Sequence, residues 1–446
     1  MAATLAKTRL PVPKLVAMLT GSYRKRLEAD LGRWVGEGLI APENAATIRR
    51  SLAQEGGGFK LPALIGLFGG LLIASSVSAF VAANWEEIPR IAKLVMVLLG
   101  LAGALGISAR LESRGATGGA DAAATCGTLI FGAGVAFVGQ MYHLPTDWPG
   151  GALLVALGAL ITAFLLRSNG ALVIGIVAIG CWAGGRWDEG ESRAHLLFWL
   201  PFLPALWLAA TRHNRLVHHV AALALLGWFA TLPGQPAFLR FDYGLLAYGL
   251  AVSALFVALG ALALDRGGPG LLTAFLPWGL IGLILSLNAE LIRILEPGEA
   301  KPGTAHALTY FAYALALPAV VGLGLLARER RFAWPLALAL VMSLLVPVLF
   351  WSGGAVSMAG KIVVAALILS IAVGIVVAGA GGGVRRLSIA GSLLFAIAVV
   401  TLLWQTIGTL LDQSLFFLVG GAALIAIASG MRRLLAKFSK PTEAAP

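Results

Sequence analysis

The sequence predicts an all-α integral membrane protein: a polytopic bundle of about fourteen transmembrane helices behind a short cytoplasmic N-terminal helical segment. Three observations predict it. Of 446 residues, 59% are hydrophobic and only 12% charged, with a mean hydropathy of +0.89, whereas a soluble protein of this length needs more charge to cover its surface. Apolar runs of roughly 17–25 residues, enough to cross a bilayer, recur from residue 62 towards the C-terminus. These runs are too long for strands and do not alternate apolar with polar residues, which excludes an outer-membrane barrel.

Residues 1–60 form the one sizeable polar segment. Tyr23 to Val35 reads as an amphipathic helix, with Leu27, Leu31, Trp34 and Val35 on one side. Gly36-Glu37-Gly38 ends it, Pro42 suits the first turn of a second helix through Leu52, and Gly56-Gly57-Gly58 links onward. Two helices with so few apolar residues do not make an independent core. A hairpin resting on the bundle, on lipid headgroups or on a membrane or cytoplasmic protein partner is therefore expected, in preference to a DNA-reading helix-turn-helix. The first apolar run follows a charged segment too late for a cleavable secretory signal.

The apolar runs lie near 62–83, 91–109, 121–139, 151–166, 170–185, 194–210, 217–232, 244–264, 271–290, 305–327, 332–350, 362–380, 387–407 and 414–430. Pro201 and Pro204 should kink the sixth. The organisation is then a hairpin and glycine link over 1–60, a transmembrane bundle over 61–430 and a basic cytoplasmic tail over 431–446. If the N-terminus is cytoplasmic and the sides alternate, 25 of the 33 Lys and Arg residues fall on the inner side. The other eight are Arg90, Lys93, Arg186, Arg193, Arg240, Arg293, Lys301 and Lys361. That is the positive-inside pattern, with both termini cytoplasmic. It also accounts for the net charge of +12 without nucleic acid, because the charge is spread over loops facing anionic lipid.

Two polar connectors interrupt the pattern on the outer side. One is Phe80-Val81-Ala82-Ala83-Asn84-Trp85-Glu86-Glu87-Ile88-Pro89-Arg90-Ile91-Ala92-Lys93, and the other runs from Gly139 to Trp148. Together they offer Asn84, Trp85, Glu86, Glu87, Gln140, Tyr142, His143 and Asp147 as candidate ligand-binding residues. Carboxylates and an imidazole suit a cation, a polar solute or a peptide, and His143 would make binding sensitive to pH. The plainer reading of each residue stands beside this one: tryptophans anchor helices at the interface, Asn and Asp cap helices, and Pro89 and Pro145 suit turns.

The N-terminal third resembles the bacterial membrane-protein family known as domain of unknown function 2157. The likeness lies in Trp34 with Gly38-Leu39-Ile40, in Phe80 to Trp85 with Ile88-Pro89 and Lys93, and in Gly132 with Gly139-Gln140-Met141-Tyr142-His143-Leu144. It covers roughly residues 25–170. Related proteins often carry Lys-Ser at the outer turn of the last helical pair, where this chain has Gln413-Ser414. The resemblance implies a multi-pass protein of the bacterial inner membrane and no known activity.

Other polar groups read as packing. Ser75, Ser76, Ser78, Thr125, Cys126 and Thr128 are expected to bond within or between helices. Gly66 with Gly70, and Gly100, Gly103 and Gly106, are expected at close helix contacts. Glu290, Arg293 and Glu296 read as a helix end emerging into water, and no ionisable residue falls at a midplane. Cys126 and Cys181 give neither metal spacing nor a disulfide framework. No catalytic residue, metal ligand set or cofactor emerges, and no nucleotide loop, HExxH or nucleophile constellation is present. Transport or small-molecule or lipid handling at the outer polar site ranks first. A non-catalytic assembly or sensing component comes second, and a membrane enzyme last.

Overall fold

The computed structural model describes residues 30–54, 88–143, 147–189, 195–233, 243–295, 307–350 and 357–406. The chain divides into two compact units, Met1–Pro89 and Arg90–Pro446, and every regular element among the described residues is helical.

In the first unit, a helix covering 30–36 ends at Gly38, whose φ of 71° is the left-handed conformation that glycine adopts without strain. The Leu39 N–H closes the cap on the Trp34 carbonyl at 2.9 Å. Helix α1 (Pro42–Gln54) follows, with proline in the first turn, where no N–H is needed. Leu31 and Ala45 are buried, one in each of the two helices.

The second unit contains α2 (Arg90–Ser113), α3 (Thr117–Met141), α4 (Trp148–Leu165), α5 (Asn169–Glu189), α6 (Trp199–Thr211) and α7 (Arg215–Thr231). It continues with α8 (Tyr243–Arg266), the single turn α9 (Gly270–Thr273), α10 (Phe275–Leu295), α11 (Ala307–Leu326), α12 (Arg330–Leu345), α13 (Met358–Gly381) and α14 (Arg385–Thr406). Among the described residues, ten helices are long and apolar enough to cross a membrane, counting α9–α10 as one. The apolar segments Leu196–Thr211 and Arg215–Thr231 are shorter. These twelve coincide with twelve of the fourteen expected spans; the runs at 62–83 and 414–430 lie outside the described residues. A 3-10 turn (Leu196–Phe198) precedes α6; of the two prolines expected to kink this run, Pro201 falls in the first turn of α6 and Pro204 sits inside the helix.

Two cores organise this unit. Leu172, Ile176, Phe198 and Phe202 centre the first, built from α4 to α7. Leu250, Phe256, Leu283, Leu287, Leu340 and Ile371 centre the second, built from α8 and α10 to α14. Large apolar residues such as Leu99, Leu165, Leu200 and Leu338 are exposed, as a lipid-facing surface requires. Because lipid is as apolar as leucine, what holds spans together is close packing and hydrogen bonds worth about 0.6 kcal/mol each.

Those bonds also sort the turns by end. At one end Asp121 Oδ1 accepts from Ser168 Oγ (2.6 Å) and Gly170 N (3.0 Å), and Asp265 accepts from the Arg328 and Glu329 amides. At the other, Arg186 pairs with Asp147, Trp187 Nε1 donates to the Thr231 carbonyl, Thr309 Oγ1 to Gly244, and Lys361 Nζ to Leu295. The turns rich in arginine therefore share one end of the bundle.

Candidate functional site

The turn between α3 and α4 carries the second connector. Helix α3 closes with the Tyr142 N–H on the Val138 carbonyl, and His143 then takes a φ of 47°, left-handed for a residue with a Cβ. Tyr142 and His143 are exposed. Asp147 starts α4: its Oδ1 accepts the Gly150 N–H at 2.9 Å, with Pro149 in the first turn. Its Oδ2 accepts from Arg186 Nη2 at 2.8 Å. The backbone amide first, and Arg186 second, hold the Asp147 carboxyl below its ordinary pKa. The charge of Asp147 is thus matched within the protein.

Gln140, His143, Asp147 and Trp148 stand together along a groove between α2, α3 and α4. The groove has a volume of 1100 Å³, and apolar side chains such as Leu94, Leu98 and Phe131 line the rest of it. Asn84, Trp85, Glu86 and Glu87 lie outside the described residues. Thr125 and Thr128 bond back to the Asp121 and Ala124 carbonyls, as their packing role requires. Among the described residues no cluster of three or more His, Cys, Asp or Glu groups is placed to hold a metal.

A second constellation departs from the sequence expectation. Glu290 does not emerge into water: it is 0% exposed within α10. Among the described residues, neither of its carboxylate oxygens has a hydrogen-bond partner. Asn288, 8% exposed, donates from Nδ2 to the Ile284 carbonyl, and its Oδ1 has no hydrogen-bond partner among the described residues. Arg293 lies one turn on and interacts electrostatically with Glu290, and Tyr313 on α11 also senses that carboxylate. The Tyr313 hydroxyl donates to the Leu344 carbonyl at 2.8 Å, so α11 and α12 hold the phenol in place.

The physical reason for the departure is register. Leu276, Leu280, Leu283, Leu287, Glu290 and Ile294 are spaced four, three, four, three and four apart, and all are buried. Glu290 continues a leucine stripe that packs on α8 and α14, so it enters the core with its neighbours. That spacing is present in the sequence and places Glu290 on the leucine stripe; that the stripe stays buried to this end of α10 comes from the packing.

A family model described as a predicted membrane protein, DUF2157, matches residues 32–172. The matched stretch includes α1, α2, α3, α4 and the connector from Gly139 to Trp148, and the chain is a multi-pass helical membrane protein. No curated protein and no solved structure matches it significantly.

Proposed function

We propose that this chain transports, or otherwise handles, a small polar or lipid-like molecule at the outer face of a bacterial inner membrane, with both termini cytoplasmic. The observation that carries the proposal is Glu290. Glu290 lies five residues before the end of α10 (Phe275–Leu295), and carboxylates buried within membrane spans are rare and mark ion and substrate pathways. Here the carboxylate is fully buried without a hydrogen-bond donor among the described residues, beside Asn288, Arg293 and Tyr313. In this reading Glu290 exchanges a proton as the bundle changes state.

Recognition is assigned to the outer connectors. Gln140, His143 and Asp147 are supported by the groove they border, whose apolar length and polar end suit an amphiphile, and Tyr142, exposed beside His143, enters on the sequence. Asn84, Trp85, Glu86 and Glu87 enter on the sequence alone. Residues 1–60 are assigned to a membrane or cytoplasmic protein partner, a role for which Leu39, 69% exposed, provides an apolar contact.

A hydrophobic carbodiimide, which modifies protonated carboxyls within bilayers, tests the central claim on the full-length protein in vesicles. An adduct is expected on the peptide containing Glu290 and not in Glu290→Gln. Under an imposed pH gradient, vesicles with the native protein should pass protons faster than those with the variant. Equal flux, with Glu290 unreactive in folded protein, overturns the proposal.

A further inference from the structure

Arginines at the bundle end where the short turns meet behave in two ways. Arg212 donates from Nη1 to Asn169 Oδ1 (3.3 Å) and from Nη2 to the Ala163 carbonyl (2.6 Å). Arg266 donates from Nε (3.1 Å) and Nη2 (2.6 Å) to the Leu326 carbonyl, and Arg330 from Nη1 to the Gly324 carbonyl (2.7 Å). These three close on carbonyls near helix C-termini, an ordinary use of arginine there. Arg215, Arg385 and Arg386 do otherwise. None of their side chains has a hydrogen bond or ion pair among the described residues.

All three line a single cavity of 940 Å³, walled by the turns before α7, α9, α12 and α14. The same cavity holds His213, His218 and His219. Its two carboxylates are already engaged. Asp265 accepts the Arg328 N–H at 2.6 Å and the Glu329 N–H at 2.9 Å, while Glu329 accepts the Arg331 N–H at 3.3 Å as the cap of α12. Three long helices also begin at this wall, α7 with 17 residues, α12 with 16 and α14 with 22, and each brings the positive end of its dipole. Asn214 caps α7 through the Leu216 and Val217 amides. The residue before α14 is Val384, which has no side-chain oxygen to do the same.

We propose that this cavity binds a phosphate group, presented either by the headgroup of an anionic phospholipid or by a soluble phosphate. Three guanidinium groups facing one space repel one another until an anion enters. Their planar forks match the tetrahedral oxygens of phosphate through paired, charge-assisted hydrogen bonds. The amides at the start of α14 add donors of the kind that bind anions elsewhere. Basic pockets between membrane helices are established sites for phosphorylated headgroups. The inference stands on the opposite end of the bundle from Glu290 and does not depend on it.

Full-length protein in phosphatidylcholine nanodiscs tests the site, with phosphatidylglycerol and inorganic phosphate added in separate arms. The readouts are binding affinity and the shift in thermal midpoint. Joint replacement of Arg215, Arg385 and Arg386 by Gln is compared with joint replacement of Arg110 and Arg114, which lie on the α2–α3 side of the same face. Single replacements Arg385→Gln and Arg386→Gln, and the charge-retaining Arg386→Lys, stand in if the triple variant misfolds. We expect the native protein and the Arg110/Arg114 variant to bind alike, and the cavity variants to lose about tenfold or more, with Arg386→Lys recovering part of it. Binding of phosphatidylglycerol alone identifies the lipid headgroup as the source; binding of inorganic phosphate without anionic lipid identifies the soluble one. Absence of binding in both arms overturns the proposal. So does an equal loss in the Arg110/Arg114 variant, because generic surface charge would then account for it.

Discussion

Asp147 joins two elements with its two oxygens, one on the Gly150 amide of its own helix and one on Arg186 of α5. The first role is readable in Asp147-Trp148-Pro149-Gly150, since a cap needs only local sequence. The second is not, because Arg186 is 39 residues away and only the packing of α5 on α4 brings it near. A pH effect follows. The folded-state pKa of Asp147 is depressed, so its contribution is fully present above the ordinary Asp pKa of about 3.9 and is lost as pH falls through the depressed value. At neutral pH Asp147→Ala should melt below the native protein, with Asp147→Asn between them because asparagine keeps the cap. Thermal scans in increasingly acidic buffer should show the native and alanine proteins converging; a gap that persists after Asp147 is protonated would contradict this account.

Glycine is where helix pairs separate what the sequence shows from what it hides. Gly100, Gly103 and Gly106 have helix-contact spacing, yet a Cβ at Gly103 or Gly106 would meet nothing within 4 Å among the described residues. The close approaches of α2 and α3 lie on the partner, where an added Cβ would stand 3.0 Å from Leu105 at Gly127 and 2.7 Å from Val97 at Gly134. Spacing fixes which residues share a face, but not which face meets a neighbour. The same limit hid Glu290, whose place on the leucine stripe was legible while the burial of that helix end was not. Opposite outcomes are expected on substitution. Gly391→Ala would put a Cβ at 2.8 Å from the Ala372 carbonyl oxygen and 2.9 Å from the Val376 nitrogen, forcing α13 and α14 apart. It should destabilise by about 1–3 kcal/mol. Gly103→Ala should be neutral or stabilise by up to about 1 kcal/mol through helix propensity. Denaturation of both variants in the same detergent measures the difference.

Across the molecule, the places and order of the twelve apolar helices among the described residues were the most legible features, because a bilayer imposes a length on every helix and charge marks its ends. The hydrogen bonds that gather the turns at Arg167, Arg212, Arg266 and Arg328 to one end agree with alternation through the described helices. Which end faces the cytoplasm rests on the basic residues. In a background lacking Cys126 and Cys181, a cysteine at residue 115 should react with an impermeant maleimide only after the membrane is permeabilised. A cysteine at residue 145 should react from outside in intact cells. The reverse pattern would invert the topology and move the arginine cavity to the outer face.

Helix α7 belongs to both cores: Val217, Ala221 and Trp228 are buried in the first and Ala222 in the second, while Leu225, Phe229 and Leu232 pack against each. During synthesis its first set of partners, α4 to α6, is already in the membrane when it arrives. The second set follows later, beginning with Tyr248 of α8, whose hydroxyl donates to the Phe229 carbonyl at 2.7 Å. In the interval one side of α7 is finished and the other faces lipid with its apolar residues uncovered. The nascent chain therefore holds a completed front half that presents a docking strip for the back half, so assembly order is written into one 17-residue helix.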